Sequence, residues 1–390
     1  MKKFALALLL LAAPAWGARP ITVGQLEDLL HSLAQDHKSD PEVANALKQV
    51  ELSEQLTRST MNSLVSYVPG PLSTEQVYVL EARSSLLAPP ERDLPKTPAP
   101  DTAAQKTLLD KAAAYVTGTY DRLPALTATR TTVRFQDNVE AAASFSGTQS
   151  GAKDVSVGSS FMNPFQFIHY INSTESKIIS EHGAEKPPAE KDKTPWGANR
   201  MIQLMEPNPS LGQVFAEAQV SDGFQWLRWE TINGKPIAVF TFAVSKKKAH
   251  LPLNVCCFPD VTQAGIANLG SSTMPQRAPG TGAGTFQTAT TWHSYRTSVP
   301  YHGELFVEPS SGIVVRLIVD NELNPSEVVH QVAMRIDYGP ASIAGRIAVV
   351  PMRTVVITEV VPNGDSGVAG AYSERRTLFT SEYRDYKSAQ

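Results

Sequence analysis

The stretch HGELFVEPSSGIVVRLIVD, residues 302–320, decides the fold of the C-terminal part of this chain. Two runs rich in apolar and β-branched residues, 302–308 and 313–320, flank the turn sequence Pro309-Ser310-Ser311-Gly312. Runs of this kind, joined by a short loop that contains glycine, are typical of a β-hairpin. The stretch therefore predicts two adjacent antiparallel strands.

The same pattern continues on both sides of this hairpin. Residues 328–338 alternate between a largely apolar and a mostly polar face, as in an antiparallel sheet that is buried on one side. Residues 352–360 and 376–386 predict two further strands. Upstream, Asn233-Gly234 between two strand-like runs is a strong hairpin signal, and Asn172-Ser173-Thr174-Glu175 predicts another turn.

The chain before residue 124 has the periodicity of helices instead. Apolar residues of 18–87 recur every three or four positions and predict short packed helices, the second capped by Asp40. The Pro-rich segment 88–100 predicts a linker, and residues 101–120 predict a helix that covers the sheet. The sequence thus predicts an α+β protein. A short-helix module is followed by a β domain over residues 101–390, which combines a covering helix with a curved, mostly antiparallel, half-barrel-like β-sheet.

Two further segments lie outside these helices and strands, one at the N-terminus and one within the β region. Residues 1–17 combine Lys2 and Lys3 with an apolar run and small residues, which predicts a signal peptide cleaved after Ala15 or Gly17. We therefore expect a periplasmic or secreted protein with no transmembrane segment after cleavage. The segment at about 260–295 is rich in Gly, Ser, Thr and Ala and predicts a flexible insertion.

Composition excludes several classes of function. The 390-residue chain has a formal net charge of −3 and lacks a long basic run, which disfavours nucleic acid as a partner. The eight histidines are scattered, without the spacing of a metal site, and no nucleotide or cofactor motif is present. We therefore predict no metal and no cofactor.

The two cysteines, Cys256 and Cys257, are neighbours in a strand-like run. Neighbouring strand residues point to opposite faces, so a disulfide between them is hard to form. A strained redox-labile pair and an intermolecular link are alternatives, but the favoured interpretation is one buried and one half-exposed thiol.

The aromatic side chains of the β region are the candidate ligand-binding residues: Trp226, Trp229, Phe240, Phe242 and Phe306. Strict alternation would place the two tryptophans on opposite faces, one under the covering helix and one along a groove. An aromatic core is the alternative to a ligand-lining role.

Two resemblances extend this picture. Residues 112–116 and 123–135, where a helix ends in Leu-Pro and enters a Thr/Arg-rich strand, resemble a segment of uncharacterised exported proteins of acidobacteria. Residues 52–57 and 239–242 also fit that group. The C-terminal third, with 303–307, 312–317 and 336–338, is loosely similar to the half-barrels of periplasmic lipoprotein carriers. That resemblance implies a sheet that cups acyl chains.

The sequence thus favours a non-catalytic envelope protein that binds an apolar ligand, such as a lipid or acyl chain, or a partner protein on its curved sheet. An assembly protein that docks through the helical module of residues 18–87 is the first alternative. A hydrolase that uses His293 or His302 with Glu304 is a disfavoured second, since no nucleophile motif is present.

Overall fold

The computed structural model describes residues 20–137, 168–186, 203–204, 208–259, 292–324, 326–360 and 375–389. The chain divides into two compact units, Met1–Pro90 and Glu91–Gln390. The first is helical where it is described, and the second contains the β-sheets. No helix in the described ranges has both the length and the apolar character needed to cross a bilayer.

The helical unit has four α-helices in its described part. They are α1 (Val23–Gln35), α2 (Asp40–Lys48), α3 (Arg58–Leu64) and α4 (Pro71–Ser84). Their apolar stripes meet in one core that includes Leu26, Leu30, Leu47, Leu56 and Leu80. The helical periodicity of this region predicted three of these buried positions, Leu26, Leu30 and Leu47.

One helix cap differs from the prediction. Ser39, not Asp40, is the N-cap of α2, and the Glu42 carboxylate accepts a hydrogen bond from the Ser39 backbone N–H at 2.9 Å. The Asp40 carboxylate instead accepts from the backbone N–H groups of Leu72 and Ser73 at the start of α4. Asp40 therefore satisfies donors of a helix that is distant in sequence.

The second unit contains two α-helices among its described residues, α5 (Thr102–Gly118) and α6 (Leu211–Val220). Its strands are β1 (Leu126–Gln136), β2 (His169–Glu181), β3 (Ala184–Glu185), β4 (Gln203–Leu204), β5 (Phe224–Ile232), β6 (Lys235–Val244), β7 (Leu253–Pro259), β8 (Trp292–Thr297), β9 (Tyr301–Val307), β10 (Val314–Asn321), β11 (Val329–Ile343), β12 (Arg346–Val360) and β13 (Arg375–Ser388).

These strands form two sheets. The ten-stranded sheet has the order β3-β2-β1-β13-β12-β11-β10-β9-β6-β5, and all its pairings are antiparallel. It is open, since β3 and β5 lie at its two edges. A three-stranded sheet has the order β4-β7-β8. The predicted α+β class is confirmed, and so are the hairpins β5–β6 and β9–β10.

The core of this unit lies on one face of the large sheet, which we call the inner face. Phe240, Leu305, Leu317 and Ile336 come from four neighbouring strands and pack together against α5 and α6. α5 contributes Leu108, Ala112 and Val116 to this core, which confirms the predicted covering helix. The opposite face is called the outer face below.

One local prediction is tested by these strands, and a second falls mostly outside the described residues. The turn predicted at residues 172–175 is wrong, because β2 runs through it and pairs with β1 from Asn172↔Arg134 to Ser180↔Leu126. This pairing satisfies the backbone groups and outweighs the local turn preference of Asn and Ser. Of the predicted insertion at about 260–295, residues 260–291 lie outside the described residues.

The favoured two-thiol interpretation of the cysteines is also wrong. Cys256 is disulfide-bonded, and Cys257 is the one other cysteine of the chain. The pairing of β7 with β8 slips in register between Val255 and Phe258. The alternation rule on which the interpretation depended therefore does not hold at this point of the strand.

Candidate functional site

The inner face changes from apolar to polar across the sheet. From β5 to β11 it carries the apolar core, whereas the strands β12, β13 and β1 present mostly polar side chains. We call this region the polar sector. Its residues are Arg130, Thr132, Arg134, Gln136, Thr354, Thr358, Thr377 and Ser381.

The pairing register places these residues on the inner face. Leu126 and Ala128 of β1 are buried, and the residues that follow at intervals of two point the same way. Arg134 pairs with Phe379, and Gln136 pairs with Thr377, which in turn pairs with Thr358. The polar sector is therefore continuous across three neighbouring strands.

Several buried polar atoms of the polar sector have no hydrogen-bond partner among the residues that the structure describes. They include both amide atoms of the Gln136 side chain, the hydroxyls of Thr358 and Thr377, and the Nε atoms of Arg130 and Arg134. Gln136 is 0% exposed and the two threonines are 1% exposed each. Buried polar groups in native proteins almost always find a partner in protein, water or ligand. Unpaired atoms concentrated on one surface therefore mark it as a candidate site.

Arg134 is the most distinctive residue of the polar sector. Its Nη1 donates to Asn172 Oδ1 at 3.2 Å and to Thr174 Oγ1 at 2.7 Å, and its Cζ lies 5.6 Å from the centroid of the Phe379 ring. It has no ion pair with any residue of the described ranges. Burial lowers the pKa of Arg134, and the nearby charge of Arg130 lowers it further.

Arg130 differs because it has a carboxylate partner. Its Nη1 donates to Glu185 Oε1 at 2.5 Å, while Glu185 Oε2 is buried without a partner. Burial raises the pKa of Glu185, although Arg130 lowers it in part. The pair leaves hydrogen-bonding capacity unused on both of its members, at Arg130 Nε and at Glu185 Oε2.

A small cavity adjoins this ion pair. Four tyrosines line it, Tyr120, Tyr338, Tyr383 and Tyr386, together with Glu185. Their hydroxyls are partly committed: Tyr120 donates to the Gly183 carbonyl at 3.0 Å, and Tyr386 donates to the Pro351 carbonyl at 2.6 Å. The space inside corresponds to about one water molecule. The cavity can therefore hold water or a small polar group, but not an acyl chain.

The outer face shows how this chain stabilises arginines that have a structural role. Arg316 Nε donates to Asp337 Oδ1 at 2.7 Å, and Arg335 Nε donates to Asp337 Oδ2 at 3.0 Å. Arg228 lies between Glu230 and Glu304, at 2.5 and 2.8 Å. Each of these arginines has a carboxylate partner. Arg134 on the inner face is the contrasting case.

The aromatic residues chosen from sequence lie in different places. Phe240 and Phe242 are buried in the apolar core at 0% and 3% exposure, and Trp226 and Trp229 pack against it. Phe306 lies on the outer face, where the Arg316 guanidinium carbon is 4.9 Å from its ring centroid. Four of the five therefore share one face and one does not. Their role in ligand binding stays a prediction.

The expectation that the two tryptophans point to opposite faces is wrong. The pairing of β5 with β6 slips between Trp226 and Arg228, so that Leu227 is an extra residue in the strand. This bulge shifts the alternation by one position. The two indole rings therefore meet on the inner face, with centroids 4.9 Å apart.

Two residues of the hydrolase alternative, His302 and Glu304, lie on the outer face, away from the polar sector. His302 lies on the outer face with its Nδ1 3.4 Å from Glu322 Oε1, and Glu304 binds Arg228. The side chain of His293 lies outside the described residues. Within the described ranges, no three His, Cys, Asp or Glu side chains converge as metal ligands.

The comparisons with known proteins give no further guide. No protein-family model, no curated protein and no solved structure matches this chain. The polar sector itself was missed by the sequence analysis. Its one local signal is the alternation of Arg130, Thr132, Arg134 and Gln136 behind two apolar residues of the same strand face.

Proposed function

We propose that this chain is a non-catalytic binding protein that holds a polar group of a ligand on the polar sector. The observation that carries the proposal is the concentration of unpaired buried atoms at Gln136, Thr358 and Thr377. A buried hydroxyl or amide without a partner costs about 1–3 kcal/mol, so each is expected to gain a partner in the working state of the protein. A bound ligand with hydrogen-bonding groups supplies those partners.

The apolar part of the inner face supports a lipid ligand less well. Phe240 and Leu305 are at most 1% exposed, because α5 and α6 pack over this region. A ligand with an acyl chain, as the sequence predicts, would need these helices to move. Gln136, Thr358 and Thr377 of the polar sector are equally buried, but their side chains lack partners in the described part of the chain and a ligand can supply them, whereas the apolar core is already packed. We therefore place the ligand's polar group, rather than a chain, at this site.

Two broader expectations remain part of the proposal. Export to the periplasm or beyond is supported by the signal-peptide pattern of residues 1–17. The resemblance to periplasmic carriers is supported by an open antiparallel sheet with helices on one face. The resemblance to acidobacterial exported proteins depends on the sequence segments alone.

Bound molecules test this proposal directly. We expect the mature protein, incubated with an envelope extract and analysed by native mass spectrometry, to carry a molecule of discrete mass. The double variant T358V/T377V removes two unpaired hydroxyls at constant shape and should reduce the bound fraction at least tenfold. T131V/T380V, on the outer face of β1 and β13, is the matched control and should bind as the wild type does.

The proposal is wrong if the wild-type protein acquires no molecule from the extract and no compound of a polar small-molecule panel raises its melting temperature. It is equally wrong if the outer-face control loses as much binding as the inner-face variant.

The helical module supports a second function through its surface. Tyr67, Leu72, Tyr78 and Leu87 are 40%, 51%, 48% and 37% exposed. Large exposed apolar side chains are typical of partner-binding surfaces when they lie close together. Docking through this module therefore stays an alternative. Co-purification of an envelope protein that is lost in L72S/Y78S and kept in T358V/T377V would favour it.

A further inference from the structure

Arg134 points to a more specific ligand. Both of its hydrogen bonds to described residues use Nη1, which leaves the edge formed by Nε and Nη2 without a partner in that part of the chain. This edge presents two parallel N–H groups, the geometry that binds two oxygens of a carboxylate or phosphate side by side. Asn172 and Thr174 hold the opposite corner of the guanidinium and fix its plane.

The charges around this edge also favour an anion. Arg130 is neutralised by Glu185, whereas Arg134 has no acidic partner in the described part of the chain. The Phe379 ring lies against the Arg134 guanidinium and keeps water from that side. A partly buried positive charge without a counter-charge is unfavourable, because it loses hydration and gains no Coulomb energy. On the outer face of the same sheet, by contrast, Arg228, Arg316 and Arg335 each have a carboxylate partner.

Neutral donors and acceptors beside Arg134 complete the site. Gln136 lies two residues further along the same face of β1, and its amide has both a free donor and a free acceptor. The Thr377 hydroxyl is next to it across the strand pair. These groups can bind the oxygens that the guanidinium edge leaves uncovered, or a hydroxyl attached to the anion.

We propose that Arg134 binds an oxyanion, a carboxylate or a phosphate group carried by the ligand, through its free Nε/Nη2 edge. The inference rests on the proposed function, since it names the chemistry of the group that occupies the polar sector. Among the described residues of the site, Arg134 is the one positive charge without a carboxylate partner, and a single monoanion balances it.

The test uses the mature full-length protein with acetate and inorganic phosphate as probes. Each is titrated against sodium chloride of matched ionic strength, and the melting temperature and the heat of binding are measured. We expect at least one of the two anions to raise the melting temperature beyond the chloride control in a saturable manner. The more strongly bound anion identifies the group as carboxylate or phosphate.

Variants locate the binding. R134Q should weaken binding of that anion at least tenfold, and R134K should weaken it less, because lysine keeps the charge but not the two parallel donors. R384Q is the matched control: Arg384 lies on the neighbouring strand, on the outer face, and pairs with Glu175. It should bind the anion as the wild type does. If circular dichroism shows that R134Q does not fold, the anion affinity of R134K alone tests the inference.

Two results would overturn the inference. One is a wild-type protein that neither acetate nor phosphate stabilises beyond chloride, and the other is an arginine variant with unchanged affinity. Failure of this inference can be distinguished from failure of the proposed function. If neutral molecules still bind and T358V/T377V abolishes that binding, the polar sector binds ligands and only its anionic character is wrong.

Discussion

The indole rings of Trp226 and Trp229 meet at a centroid distance of 4.9 Å in a T-shaped arrangement, on one face of a single strand. Residues three apart in a regular strand lie on opposite faces, so this contact requires the extra residue Leu227. The bulge thus brings both tryptophans to the core and leaves Arg228 on the outer face, where it binds Glu304.

Because of the bulge, deletion of Leu227 should do little harm, whereas deletion of Gln225, two positions earlier, should be costly. Without Leu227, Trp226, Arg228 and Trp229 alternate regularly and keep their faces. We expect this deletion to change the free energy of unfolding by less than about 1 kcal/mol. Deleting Gln225 instead moves Phe224 away from Phe215, whose ring centroid is 4.8 Å from its own.

The Gln225 deletion should therefore cost about 3 kcal/mol, because it removes a partly buried aromatic side chain from the core. Urea unfolding followed by tryptophan fluorescence measures both deletions. Equal destabilisation by the two would show that Leu227 is not the extra residue.

Much of the fold follows from local sequence signals. The β5–β6 turn at Asn233 and Gly234 has φ of 51° and 75°, the positive values that Asn-Gly favours and that a tight hairpin needs. Period-two alternation located β11 in the same way. The tryptophan bulge and the continuous β2 were not predicted, because each depends on a partner strand. Residues 172–175 form a strand only because β1 pairs with them.

The candidate site was missed for the same physical reason. Arg134 meets Phe379 and Asn172 through pairings with β13 and β2, which are distant in sequence. Composition gives no hint that one arginine has a carboxylate partner and another has none. Aromatic residues were chosen instead, and two of these, Phe240 and Phe242, are largely enclosed in the core.

Gly303 in β9 provides a test of the core's close packing. A Cβ at this position would lie 1.9 Å from the Ile318 carbonyl oxygen and 2.8 Å from Phe242 Cζ. Backbone on one side cannot give way without breaking the β9–β10 pairing. We expect G303A to lower the free energy of unfolding by at least about 2 kcal/mol in chemical denaturation.

Gly118 is the matched control for that substitution. It ends α5, and a Cβ there would meet nothing within 4 Å. G118A should raise stability by about 0.5 kcal/mol or more, because alanine loses less conformational freedom in a helix. Similar effects of the two substitutions would contradict the close approach at Gly303.

The tyrosines of the cavity predict a loss of stability at alkaline pH. Burial raises the pKa of Tyr338 well above its usual value, and the neighbouring Tyr120 raises it further. In the unfolded chain these phenols ionise near pH 10. Above that pH the unfolded state releases protons that the folded state keeps, so stability falls as pH rises.

Each such tyrosine contributes about 1.4 kcal/mol of lost stability per pH unit above about 10. Y338F should remove one such contribution, so its stability should decline less steeply with pH than that of the wild type. Tyrosinate absorbance and circular dichroism, recorded together, measure this. If the phenols ionised while the native circular dichroism persisted, the cavity would be open to hydroxide and the prediction would be wrong.

Two threonines on the inner face should respond in opposite directions to the same change. Thr132 Oγ1 lies 2.9 Å from Ser381 Oγ, so T132V leaves a serine hydroxyl without its partner and should cost about 1 kcal/mol. The Thr377 hydroxyl is 1% exposed and has no partner in the described part of the chain, so T377V removes an unsatisfied group and should stabilise the ligand-free protein by about 1 kcal/mol.

This stabilisation should be accompanied by weaker ligand binding, because residues selected for binding are often unfavourable in the empty protein. Urea unfolding of the two variants, with and without the bound molecule, separates the effects. Loss of stability in T377V without ligand would mean that its hydroxyl already has a partner in the native state. The polar sector would then be a structural network, in the manner of Thr132 and Ser381, and not a binding surface.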